Sequence, residues 1–347
     1  MNKLTNLRKN LQTEWILIAK EADVTWLTGF TGDSSQVLVG KEAAYFFTDS
    51  RYTEQAEKQL SADYTIIETG AADRIEAIGK QCGGTVGIDY AHTSLAEMEE
   101  YKKAICAEFS DYGSLLTGLR SIKSEAELSA MREGAKLTED TFYHVLKYFK
   151  EGVSEQDIYA EMIYYFHKHG AVPSFTPIIA SGENSSMPHA GVTDRKFRKG
   201  DFITMDFGCI YKGMCTDFTR TVALFGVDER QKIVYNTVAY ANLAGLAALK
   251  AGITGREADA AARGVIEKAG YGAYFGHGTG HGVGIEIHEQ PRLAKNSQTI
   301  LQSGMVVTVE PGIYLPGEMG VRIEDMAVIT ADGCENFYTA EKELIII

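Results

Sequence analysis

Four carboxylates and one histidine in the C-terminal half lie inside runs of strand-forming apolar residues. They are Asp206 in ITMDF, Asp217 in CTDFT, His281 in TGHGVGI, Glu310 in VVTVEPGIY and Glu324 in VRIEDMAVI. Acidic side chains are rarely fully buried unless they are paired or bind a cation. A fold that takes these strands inside must therefore bring the acids to a shared counter-charge. Two divalent cations balance four carboxylates, so the pattern points to a dinuclear metal centre. Metal-assisted hydrolysis is the usual chemistry of such a centre.

The rest of the chain sets limits on this reading. At 347 residues it is long enough for two domains with cores of their own. The 34 basic and 47 acidic residues give a formal charge of −13, which argues against nucleic acid or an anionic membrane as partner. No stretch approaches the roughly 18 apolar residues of a membrane span. The apolar run Trp15–Ala19 is too short for a signal sequence. Cysteines 82, 106, 209, 215 and 334 have no CxxC spacing and suit a reducing cytosol, so the expected location is cytoplasmic. Cys209 and Cys215, although near Asp206 and Asp217, read as small buried thiols.

Residues 1–120 alternate strand and helix. WILIA, SSQVLVG, AAYFFTD, YTIIET and TVGIDY read as strands. The stretch opening at Asp49 or Ser50, ADRIEAIGKQ and HTSLAEMEEYKKAIC read as helices. This is α/β patterning. A boundary falls within 112–123. Ser124 and Glu127 then form a capping-box signature before a long helical pattern, and a second helix ends at Gly170. From 175 onward, glycine-punctuated strands surround one further helical region, so residues 121–347 read as an α+β domain.

Asp206 and Asp217 flank a hairpin signal at Tyr211-Lys212-Gly213. A loop at 211–212 sets the two aspartates directly opposite. A loop at 212–213 pairs 206 with 219 and leaves 217 a diagonal neighbour. Either register puts both carboxylates on one face, whereas a three-residue bulged loop would split them between faces. Downstream, GHGTGHGVGIEIHE places His277 and His281 four apart, but its glycines exclude a helix. On a strand, His277 and His281 share a face, whereas His288 reaches it only through a bulge or a strand end. Arg322 and Glu324, two apart, also share a strand face, with Arg322 placed to hold negative charge nearby.

These segments resemble the proline-specific metallopeptidases of the methionine aminopeptidase clan, prolidase and aminopeptidase P, with their pita-bread catalytic domain. The resemblance rests on His277-Gly-Thr-Gly-His281-Gly-Val-Gly-Ile-Glu-Ile-His288-Glu289, on the order Asp, Asp, His, Glu, Glu, on Pro188-His189 and on Pro311-Gly-Ile-Tyr314. TWLTGF and TDSRYTEQA look like the creatinase-type N-terminal domain, so the likeness spans nearly the whole chain. It implies that Asp206 chelates one metal, that His281 and Glu310 hold the other, and that Asp217 and Glu324 bridge both. It also implies a metal-bridging hydroxide as nucleophile, Glu310 as proton carrier, and His288 and His189 steadying the carbonyl oxygen. His277, Arg292, Tyr314 and Arg322 are then substrate-side residues. The single imidazole among oxygen ligands favours Mn²⁺, with Co²⁺ or Zn²⁺ as alternatives.

The expected substrates are proline-containing dipeptides or short peptides. An Xaa-Pro dipeptidase must grip the free proline carboxylate, and Arg292, four residues after His288, is the natural clamp. An aminopeptidase acting on longer Xaa-Pro peptides is the alternative. A metal-free creatinase-like hydrolase, a methionine aminopeptidase and a non-catalytic binding module are the remaining readings; the complete ligand set weighs against the first and the last. The resemblance also implies a homodimer.

Overall fold

β-Branched and aromatic runs in the first 120 residues pair into one mixed sheet. Its strands are β1 (Trp15–Ile18), β2 (Gln36–Gly40), β3 (Ala44–Thr48), β4 (Thr65–Glu68), β5 (Gly84–Ile88) and β6 (Ala107–Asp111), in the order β4-β3-β2-β1-β5-β6. The pairs β1–β2 and β2–β3 are antiparallel, whereas β3–β4, β1–β5 and β5–β6 are parallel. The central strands are buried almost continuously, as strands covered on both faces must be. This is a computed structural model and describes residues 2–347. The chain divides into one unit ending at Arg120 and a second, Ser121–Ile347.

Several details of the first unit depart from the sequence reading, strand β6 and the helix Gly113–Ser121 among them. The helix expected from Asp49 or Ser50 begins at Thr53, with Tyr52 at its N-cap and no side-chain cap. Asp49 does not cap it because Arg51 takes its carboxylate, with Nε donating at 2.9 Å. Helices Lys3–Lys9 and Glu21–Thr28 were not read from the sequence. Each spans about two turns, too short for a 3.6-residue period to stand out.

In the second unit, the capping box at Ser124 and Glu127 forms as read and starts the helix Glu125–Val145. Helix Glu155–Lys168 follows, then β7 (Val172–Pro173), β8 (Ile178–Ser181), β9 (Phe202–Phe207), β10 (Cys209–Tyr211), β11 (Met214–Cys215) and β12 (Phe218–Ala223). After helices Glu229–Ala248 and Gly255–Lys268 come β13 (Gly280–Gly282), β14 (Glu289–Leu293), β15 (Val306–Val309), β16 (Gly312–Leu315), β17 (Met319–Arg322), β18 (Asp325–Ile329) and β19 (Cys334–Asn336). The main sheets run β12-β9-β8 and β14-β13-β15-β18-β19. Helical Met131, Phe142, Ile158 and Phe166 share one core with Met205, Phe207 and Phe218 of the first sheet. Val234 and Val238 pack with Ile313 and Val321 in another. An isolated bridge, Thr219 to Glu324, ties β12 to the residues preceding β18. Among the described residues, no helix is long and apolar enough to cross a membrane.

Candidate metal centre

The β9–β12 hairpin decides where its aspartates stand. Lys212 and Gly213 have φ of 50° and 78°, the left-handed pair that a tight two-residue turn needs. The loop is therefore at 212–213, Ile210 pairs with Cys215 and Asp206 with Thr219, so Asp217 is the diagonal neighbour. Asp206 Oδ2 accepts from Arg322 Nη2 at 2.5 Å, while its Oδ1 is buried with no hydrogen-bond partner. Asp217 lies just before β12 and is buried. Thr219 Oγ1 donates to Glu324 Oε2 at 2.6 Å, which fixes the buried Glu324 beside the hairpin.

His281 is brought in by close backbone packing. A Cβ at Gly280 would lie 2.0 Å from the carbonyl oxygen of Thr308, and one at Gly282 2.2 Å from that of Gln290. With hydrogen alone at both positions, β15 and β14 close on the histidine from either side. His281 Nδ1 lies 3.0 Å from its neighbour Gly282's carbonyl oxygen and is thereby assigned the proton. Nε2 faces Asp217 Oδ2 at 3.4 Å and Glu310 Oε1 at 3.5 Å. The pairing of β13 with β14 shifts register between His281 and Gly282. That bulge, with His288 at the strand end, brings the His288 ring to 4.4 Å from the His281 ring, centroid to centroid.

One donor atom each from Asp217, His281 and Glu324 lies within 4.8 Å of the others. Asp206 and Glu310 flank this trio along the same cleft, which measures about 610 Å³. Burial raises the Asp217 carboxyl to about 7, with Asp206 and Glu310 adding to the rise and His281 opposing it. Burial likewise lifts Glu324 well above the usual carboxylate range, reinforced by Asp217 and Glu310. It lifts Asp206 too, against the pull of Arg322. Burial lowers the His281 imidazole, but the Asp217 hydrogen bond and the Glu310 charge outweigh it and bring it to about 8. Acids that resist ionisation, an acceptor oxygen on Asp206 with nothing to accept, and an imidazole nitrogen aimed at two carboxylates all fit bound divalent cations.

The substrate-side residues fall into two groups. Arg322 and Tyr314 are buried, and their polar groups are taken up inside the protein. The Arg322 guanidinium donates to Thr219, to the Pro188 carbonyl, to Tyr314 Oη and to Asp206. Tyr314 Oη also lies 2.9 Å from His277 Nε2. His189, His288 and Arg292, by contrast, are exposed and line the cleft. Partial desolvation by the cleft walls, with His281 and Arg292 beside it, lowers the His288 pKa, so its ring is neutral near pH 7 and keeps one N–H to donate. Arg292 pairs with His281 across β13 and β14, and among the described residues it has no acidic partner.

Some contributors were missed from sequence. Thr219 and Thr308, whose hydroxyls meet Glu324 and the His281 amide, signal only by alternating with the ligands in TDFT and VTVE. The apolar wall of the cleft, with Phe175, Ile178, Val192 and Ile287, draws on separate segments. Cys209 and Cys215 are buried thiols, bonded to Thr138 and Thr216 and to the Ile285 carbonyl respectively.

The chain matches metallopeptidase family M24 over residues 129–331 and the creatinase/prolidase N-terminal domain over residues 1–122. An uncharacterised peptidase of Bacillus subtilis is 42% identical over 100% of this chain and 99% of its own length. The solved structure of an Xaa-Pro dipeptidase from Bacillus anthracis has a TM-score of 0.94 and 41% identity, covering 99% of this chain and 98% of that one. An X-Pro aminopeptidase from Thermotoga maritima has a TM-score of 0.91 and 31% identity, covering 99% and 100%.

Proposed function

The chain belongs to metallopeptidase family M24, a creatinase-type N-terminal domain followed by a pita-bread catalytic domain, and on that premise we propose that it hydrolyses the Xaa-Pro bond of dipeptides. The observation that carries the metal part is the buried group of Asp217, His281 and Glu324 beside the unpartnered Asp206 Oδ1. We assign Asp206 to one divalent cation, His281 and Glu310 to a second, and Asp217 and Glu324 to both. Oxygen donors with a single imidazole favour Mn²⁺. Bound there, the cations supply the nucleophile by lowering the pKa of water to near neutrality, and they polarise the carbonyl.

The protein's own groups handle the rest. Glu310, set between His281 and His277, takes the proton of the attacking water. It then delivers that proton to the proline nitrogen, which has none of its own in the peptide and leaves only when protonated. His288 and His189 donate to the carbonyl oxygen as it gains charge. Arg322 and Tyr314 act from behind, holding Asp206 and His277 in place. The five free cysteines support a reducing cytosolic setting, and a homodimer is the assembly we assign on likeness to the family.

Arg292 favours a dipeptidase, because an exposed guanidinium with no acid of its own in the cleft suits a free carboxylate. A hydrogen bond to a charged group is worth about 1.5–3 kcal/mol. Arg292→Ala should therefore lower kcat/KM for Ala-Pro by about tenfold to a hundredfold and spare Ala-Pro-Ala. Equal loss on both peptides, or on neither, removes the clamp. Exhaustive chelation should abolish Ala-Pro cleavage and Mn²⁺ should restore it. Activity that survives chelation defeats the metallopeptidase reading, and faster turnover of Ala-Pro-Ala than of Ala-Pro makes the protein an aminopeptidase instead.

A further inference from the structure

His288 stands exposed in the cleft, and among the described residues nothing hydrogen-bonds its ring. Apart from its edge contact with the His281 ring, its aim comes from the backbone on either side. On one side, Cys215 grips the loop at residues 283–287: its N–H donates to the Gly284 carbonyl at 2.7 Å and its Sγ to the Ile285 carbonyl at 3.2 Å. On the other side is Glu289, the first residue of β14, paired with Gly282 just past the bulge. The loop folds around the Glu289 carboxylate. Glu286 N–H donates to Oε1 at 3.2 Å, and a Cβ on Gly284 would lie 2.4 Å from Oε2.

Oε2 also meets Lys123 Nζ at 2.8 Å, with the two side chains only 2% and 6% exposed. Lys123 is itself firmly mounted. It directly precedes the capping box of helix Glu125–Val145, and its backbone N–H donates to the Gly304 carbonyl at 2.9 Å. A buried ion pair is a poor choice for stability alone, since apolar residues of similar volume often do as well. It does fix geometry, because a desolvated charge loses much by moving from its partner.

We infer that Lys123 is a positioning residue for His288, acting through the buried Glu289 carboxylate around which the His288 loop is folded. The inference rests on the reading of His288 as a donor to the scissile carbonyl. The ammonium sets Glu289, Glu289 sets the 284–288 backbone, and the backbone sets the imidazole. Outer partners of metal ligands typically contribute tenfold to a hundredfold in activity; a loss of that order is expected for a partner of a transition-state donor, whose misalignment lowers kcat more than it raises KM.

The test is a double-mutant cycle on Ala-Pro hydrolysis at saturating Mn²⁺, with wild type, Lys123→Met, His288→Ala and the double variant. Lys123→Met should lower kcat at least tenfold with KM changed less than about twofold. In the His288→Ala background the same substitution should change kcat less than about twofold, because the group it positions is gone. Multiplicative losses overturn the inference, as does wild-type kcat for Lys123→Met beside an impaired His288→Ala. Wild-type kcat for His288→Ala sinks the reading of His288 itself, which is a different result. Should Lys123→Met fold poorly because Glu289 is left buried and charged, Lys123→Met/Glu289→Gln replaces it in the same cycle.

Discussion

Asp217→Asn should lose at least about a thousandfold in kcat on Ala-Pro. The substitution keeps the shape of the side chain and removes one negative charge from the centre of the buried trio. Charge stabilisation by catalytic metals is worth several kcal/mol, and each 1.4 kcal/mol is a factor of ten. Metal analysis should show less than full occupancy, because Asp217 supplies one of the two carboxylates in that trio. The same variant should melt higher than wild type when both are stripped of metal. It no longer confines an acid whose burial opposes ionisation. A variant that keeps a tenth of the wild-type kcat places the chemistry elsewhere in the cleft.

Stripped of metal, the wild-type protein should lose stability as pH rises from about 5 to about 8. The Asp217 carboxyl, ordinarily near 3.8, is raised to about 7 in the fold. Between those values the folded chain binds more protons than the unfolded one, so each step up in pH favours unfolding until Asp217 is ionised. His281 adds to the trend. Its folded value near 8 exceeds the ordinary 6.5, so the stability it contributes is complete below 6.5 and gone above 8. The combined loss is on the order of a few kcal/mol, or roughly 5–10 °C in Tm for a unit of this size. Metal binding requires the deprotonated ligands and runs the opposite way. The gap in Tm between Mn²⁺-loaded and chelated protein should therefore widen steadily from pH 5.5 to pH 8. A gap that narrows, or no gap, contradicts a cation-balanced cluster.

How much of this was legible beforehand varies by residue. The Asp, Asp, His, Glu, Glu order was readable because acids inside strand-forming runs are costly without a partner, and the fold does bring the five to one cleft. The hairpin was readable only as two tight registers and a bulged alternative. Its register depended on whether Lys212 takes a positive φ, which its side chain does not announce. The capping box at Ser124 was plain because it is a local hydrogen-bond pattern four residues long. The helix at Thr53 was misplaced because a competing local contact, the pairing of Asp49 with Arg51 two residues on, removed its expected cap. Spacing also put Arg322 on the face of Glu324 without revealing that four groups inside the protein absorb its donors. Partners distant in sequence leave no mark on periodicity, which is why Thr219, Lys123 and the apolar wall of the cleft went unread.

The carbonyl oxygens of Thr308 and Gln290 press against the two glycines beside His281 so closely that the smallest side chain collides with each. In a library of random substitutions scored for activity, positions 280 and 282 should be as intolerant as the histidine between them. Even alanine would be rejected there, although neither residue contributes a donor atom. Tolerance to replacement in this stretch is thus governed by the clearance between neighbouring chains, and a map of invariant positions would overstate the number of residues that take part in chemistry.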